Sequence, residues 1–263
     1  MENKKIVLII ILLIIICLGL GGYIIIDKFV LKEKDKIVTT EINGIDINLN
    51  AFEYIENTIS KLNNAFNDPN STYFGYIYSK KELNVKNFDK QASLYAAIYN
   101  DYSKNINQQI IAEEVIKTKY AELFGKKMEY KPNTIKAGQN YNIVYDDTNK
   151  IYTVIIPSTY STYQNRYIEK VSKTILTNDK ITIQKYVFYV EYENVIDGKM
   201  ATKANIYTSH DKTKLIGTFS LKNGNLDLDE IIGKNSSKIP LYAYIFQQTS
   251  YDKYDFFSIE KIR

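Results

Sequence analysis

Residues 6–26 contain no charged position, and sixteen of these twenty-one residues are Ile, Leu or Val. A run with no polar face reads as a helix crossing a bilayer. At about 1.5 Å per residue it is about 30 Å long, the thickness of a hydrocarbon core. Ile6 and Ile26 mark its expected ends. Gly19 and Gly21 resemble a leader-cleavage site, but the apolar run continues through Tyr23, Ile24, Ile25 and Ile26, so the reading is an uncleaved anchor. Ile16 stands before Cys17, where lipoprotein processing needs a small residue, which leaves Cys17 as an apolar residue facing lipid. Lys4 and Lys5 precede the run and Lys28, Lys32, Lys34 and Lys36 follow it. Long domains translocate largely regardless of such counts, so residues 27–263 are expected outside and the N-terminal tail inside.

Beyond a charged spacer (residues 27–36) the period becomes that of a soluble α+β chain. Asn43-Gly44 between two short β-rich runs predicts a type I′ hairpin turn. Asn50 with Glu53 reads as a capping box, and behind it Phe52, Ile55, Ile59, Leu62 and Phe66 share one helical face. That helix should stop at residues 67–70, Asn-Asp-Pro-Asn. Asn87 can cap a second helix with the stripe Phe88, Ala92, Tyr95, Ile98, Tyr99 and Tyr102. A third, over residues 107–127, has Ala112, Val115, Ile116, Tyr120 and Leu123 on one face and Gly125 as a left-handed C-cap.

After residue 127 the period falls to two. Residues 141–145 and 151–156 flank one turn, and 167–176 and 180–194 flank a second. Further alternating runs follow, separated by Asp197-Gly198, residues 211–213, Asn223-Gly224 and residues 251–253. Strands joined by short turns predict an antiparallel meander, and helices first with strands after predict an α+β domain. The expected organisation is a tail, anchor and spacer (1–36), a hairpin and helical part (37–126) and a β-meander (127–263) forming one domain with it. About three helices should cover one face of a curved sheet.

The order of helices, then VIKTKYAELFG, then strands closing on AYIFQQTSYDKYDFFSIEKI resembles uncharacterised membrane-anchored exported proteins of low-GC bacteria. The resemblance covers about residues 87–263. It implies a sheet-and-helix part similar in outline to the cystatin-like or NTF2-like superfold, which hosts enzymes, carriers and docking modules alike and so implies no activity.

Composition changes this picture little. All but two of the 34 basic residues are Lys, there are 24 Tyr and no Trp, and net charge is +4. No face concentrates Lys with aromatics, so nucleic acid is not an expected partner. The single cysteine lies in the apolar run, so the exported part has no disulfides. The only histidine, His210, sits beside Asp211 in an expected turn and reads as a solvated turn residue; a Ser-His-Asp site would have to use it, Cys17 in the apolar run excludes Cys-His catalysis, and the same counts exclude His/Cys zinc sites. Asn225, Asp227 and Asp229 alternate like a calcium loop, but Glu230 and Ser236 stand where it needs Gly and Glu; a turn into a short helix is the reading. No phosphate-binding glycine loop occurs, and no cofactor is expected.

Two functional readings remain. Glu191 and Glu193 lie two apart on one strand, about 7 Å apart on one face, as a carboxylate-dependent hydrolase would need. On the same face Val187 and Tyr189 are apolar, while Tyr186, Phe188, Val190 and Tyr192 form the expected core face. An apolar pair on the wetter face predicts a covered surface at Val187, Tyr189, Glu191 and Glu193. The six strand tyrosines (186, 189, 192, 207, 242 and 244) could line an interface. The expectation is an anchored extracytoplasmic binding or docking module, with an envelope protein or small ligand as partner; an exported hydrolase is the alternative.

Overall fold

The structure, a computed structural model, describes residues 40–41, 49–101, 108–139, 141–155, 165–177, 179–193, 201–250 and 253–263. The apolar run, Cys17, the spacer and the Asn43-Gly44 turn lie outside the described residues. Among those described, no helix is long and apolar enough to cross a membrane. The chain is α+β, with four α-helices among the described residues and antiparallel sheets.

Helix α1 (Leu49–Phe66) forms where the apolar stripe required it, and Ile55, Ile59, Leu62 and Phe66 are fully buried. Its start differs from expectation. Leu49 is already helical, so Asn50 stands within the first turn of the helix and not at the cap position before it. Helix α2 (Lys90–Asp101) is capped by Asp89, whose Oδ1 accepts from the backbone N–H groups of Gln91 (2.9 Å) and Ala92 (2.8 Å). Asn87 instead accepts the Asn84 N–H at 2.7 Å. Ala92, Tyr95, Ile98 and Tyr99 are buried, as the stripe predicts.

The third expected helix is half strand. Residues Gln108–Ala112 form β3, and only Glu113–Phe124 form α3. β3 pairs residue for residue with β6 (Ile151–Ile155), and its central Ile pair suits a strand better than a helix. Ala112 and Val115 are therefore exposed, while Ile116, Tyr120 and Leu123 stay buried. At Gly125 φ is +70° and ψ is −176°, a positive-φ ending but not the left-handed helical one expected.

The strands build two sheets, not one meander. The larger holds β1 (Thr40–Glu41), β7 (Arg166–Leu176), β8 (Lys180–Tyr192), β11 (Leu241–Ser250), β12 (Lys253–Lys261) and β2 (Glu82–Asn84), in that spatial order. β1 joins β7 in parallel. The smaller sheet runs β3, β6, β5 (Asn142–Asp146), β4 (Ile135–Lys136). The division arises because β3, from the helical half, supplies the β5–β6 hairpin with a partner along the free edge of β6.

β7 lines one edge of the thirteen-residue β8 from Ile181 to Val190, but no single strand lines the other edge. Its first half pairs with β11 up to Tyr186, and from Tyr189 onward it pairs with β9 (Lys203–Tyr207), which carries β10 (Leu215–Ser220). The sheet forks there, and two cores result. Residues 181, 183, 187 and 189 face the main core with α1, α2 and α3. Phe188 and Val190 face a second core with Ala204, Ile206, Ile216, Ile239 and Ile231 of α4 (Leu228–Asn235). Between β10 and α4, Lys222 and Asn225 exchange backbone hydrogen bonds (2.8 and 3.0 Å) around Asn223 (φ +52°) and Gly224 (φ +79°), the Asn-Gly type I′ turn. Asp227 then caps α4 by accepting the Glu230 N–H at 3.0 Å. The turn into a short helix read from this stretch is thus present, as a hairpin turn and a capped helix start.

Candidate functional site

The surface expected on β8 is not exposed. Val187 is 1% and Tyr189 6% accessible, and Tyr189 stacks among Phe74 and Tyr167 in the main core. The face assignment is corrected: both faces of β8 are buried, and the one carrying Val187 and Tyr189 is the larger core. The two carboxylates further along are not a matched pair. Glu191 is ion-paired with Lys212 and accepts from the Tyr207 hydroxyl at 3.3 Å, while Glu193 is exposed just past the strand end.

His210 does lie in a turn, but its ring is engaged. Its Nδ1 is 2.8 Å from the Tyr167 hydroxyl, which also accepts the His210 backbone N–H at 3.0 Å, and Phe74 meets the ring edge-on. Gly75 makes this approach possible, because a Cβ there would stand 2.8 Å from Nδ1.

A second cluster escaped the sequence reading. Glu169 on β7 accepts hydrogen bonds from Asn63 of α1, from Tyr78, and from Tyr244 of β11 at 2.5 Å. Lys185 of β8 is 3.3 Å from its carboxylate, and both charged side chains are only 10% exposed. Burial and then the Glu169 charge hold the phenols of Tyr78 and Tyr244 well above the ordinary range. Every oxygen of Glu169 is occupied by a donor, so this carboxylate is held as a structural acceptor and not as a free base. The sequence signal for it was the unbroken charge at Glu169 and Lys185 on the inward side of their strands.

The described surface has a large concavity at the fork. It is a groove of about 580 Å3 between the end of α1, the start of β7, the end of β8 and the segment leading into α4. Ile168, Tyr192, Leu226 and Leu228 supply apolar lining; Arg166, Asn67, Asn223 and Asn225 supply polar lining. The elements that place these residues are firm. Asn67 pairs with the Tyr167 backbone in both directions, at 2.7 Å each way, so α1 ends locked to β7. The type I′ turn presents Asn223 and Asn225 from the opposite wall.

Charge within the groove is uneven. Neighbouring Lys170 is paired with Asp229, and Lys222 with Asp227 (2.9 Å) and Glu230 (3.8 Å). Arg166 makes no ion pair among the described residues. The chemistry on offer is a planar cationic donor beside apolar surface and side-chain amides, which binds and orients but supplies no acid–base pair. Among the described residues no cluster of three or more His, Cys, Asp or Glu is placed to hold a metal. Sequence patterning singled out Tyr192 as a strand residue and Asn67, Asn223 and Asn225 as turn residues, but nothing in it joined them into one site. Arg166 had a visible signal, being one of two arginines among 34 basic residues. No protein-family model, no curated protein and no solved structure matches this chain.

Proposed function

We propose that this protein is a single-pass, membrane-anchored binding or docking module on the outer side of a bacterial cell membrane, and that its partner or ligand seats in the groove at Arg166. The groove carries the reading: an apolar floor, amide side chains and an arginine that meets no acid among the described residues form a recognition surface. Residues 6–26 provide the anchor in this proposal, and the cystatin-like or NTF2-like outline applies to the larger sheet and its helices. The hydrolase alternative needs two convergent, available carboxylates. Glu191 is bound to Lys212 and Tyr207, Glu193 stands at the strand end, and Glu169 is saturated, so no observation favours it.

Site-specific photocrosslinking in intact membranes tests the reading. A photoreactive residue at Asn225, on the groove rim, should give a discrete adduct that the same residue at exposed Lys86 does not. Equal labelling from both positions, or none from either, defeats it.

A further inference from the structure

Arginine is scarce here, and its two copies do different things. Arg263 is spent on the carbonyls of Ser236 (2.5 Å) and Ile239 (3.4 Å), while Arg166 lines the groove and, among the described residues, pairs with no acid. A guanidinium presents a rigid fork of donors that matches a planar carboxylate through two parallel hydrogen bonds, which a lysine cannot do. Beside it, Ile168, Leu226 and Leu228 with Tyr192 make an apolar bed, and Asn223 and Asn225 stand across from it. Asn225 gives one amide N–H to the Asn223 carbonyl at 3.3 Å, leaving its side-chain oxygen as an acceptor. An amide wall that both donates and accepts suits a peptide backbone; an acyl chain would leave it unpaired. At about 580 Å3 the groove falls within the range of sites for small molecules, about 300–1,000 Å3, and so admits a chain end rather than a long segment.

We propose that the groove binds the C-terminal carboxylate of a peptide chain ending in apolar residues, with Arg166 gripping the carboxylate and Ile168, Leu226 and Leu228 receiving the side chains. This rests on the groove being the binding site. Recognition of a chain end by charge and burial together distinguishes a terminus from an internal segment, because only the terminus brings the anion.

The two arginines make the test direct. Full-length protein in detergent micelles, labelled with 15N only in arginine, shows two Nε–H signals, and Arg263→Lys assigns them. N-acetyl-Leu-Leu as the free acid should shift the Arg166 signal saturably and leave that of Arg263 in place, which also reports an intact fold. The C-terminal amide of the same probe should bind at least about tenfold more weakly, the loss expected for a charge-assisted pair. Leu226→Glu should abolish the shift by filling the floor with charge. Equal binding of acid and amide overturns the carboxylate assignment while leaving a binding groove. An equal shift from inorganic phosphate overturns it in favour of a general anion site. No shift with any probe overturns it as well, and the Asn225 crosslink then decides separately whether the groove binds anything.

Discussion

Lys185 keeps its ammonium 3.3 Å from the Glu169 carboxylate with only a tenth of either side chain exposed. Two charges so placed are stable only together with the phenols and amide that surround them. Truncating one partner strands the other, at a cost of about 3–5 kcal/mol, whereas an apolar replacement of both can be close to neutral. Glu169→Ala should therefore destabilise the unit Thr40–Arg263 severely, and Glu169→Leu combined with Lys185→Met should recover part of the loss in urea denaturation, the rest remaining because Asn63, Tyr78 and Tyr244 still lose their acceptor. If the double variant is as unstable as the single one, the pair is not coupled. The tyrosines add a pH dependence with a definite sign. Tyr78 and Tyr244 hold their protons well above the ordinary phenol range when folded, and the unfolded chain releases them near pH 10. The folded state then binds more protons, so their contribution is intact below about pH 10 and is lost as pH rises beyond it. Melting temperature should fall steeply from pH 9.5 to 11.5, and Tyr78→Phe with Tyr244→Phe should flatten that slope. Part of it will remain, because burial also raises Tyr242, to about 12.

At the scale of elements, two glycines make opposite predictions. Gly125 ends α3 at φ +70°, and a Cβ there would stand 2.5 Å from the Asp255 carboxyl group. Gly125→Ala should cost more than the about 1–3 kcal/mol of backbone strain alone. Gly233 lies inside α4, where an added Cβ would meet nothing within 4 Å, so Gly233→Ala should raise stability by about 0.5–1 kcal/mol. Thermal melts of the two variants should move in opposite directions. The α1 stripe was the most legible element because five apolar positions recur at helical spacing, and Ile59→Asp, which buries a charge at a fully inaccessible position, should cost over about 4 kcal/mol. Less legible was anything decided by a distant partner. Gln108–Ala112 has a helix on its C-terminal side and apolar residues in plausible helical register, yet pairing with β6 makes it a strand. The same limit hid the faces of β8. Alternation showed two sets of side chains but could not show that α4 packs on one set, together with neighbouring β9, while three helices cover the other. Val187→Ser with Tyr189→Lys should therefore unfold the protein, not merely weaken partner capture.

For the molecule as a whole, the sequence supplied the α+β class and most strands, because turns such as Asn223-Gly224 carry their geometry in two residues. The groove at Arg166 was not readable, since its walls come from segments about a hundred and then about sixty positions apart along the chain, at 67, 166–168 and 223–228. Placement of the whole relative to a membrane is a separate question, and it decides which partners can reach that groove. If residues 6–26 span and residues 27–263 lie outside, a peptide end presented at the outer surface is within reach; in the reverse orientation only cytoplasmic termini are. One cysteine in the chain makes orientation measurable. Replacing Cys17 with Ser and exposed Thr148, in the β5–β6 turn, with Cys leaves a single reporter thiol. Because the Thr148 N–H, not its side chain, bonds Asp146 Oδ1 at 2.9 Å, that turn should tolerate the change. A membrane-impermeant maleimide should label the variant fully in intact cells. Labelling that begins only after lysis would reverse the orientation and move the search for the groove's partner to the other side of the membrane.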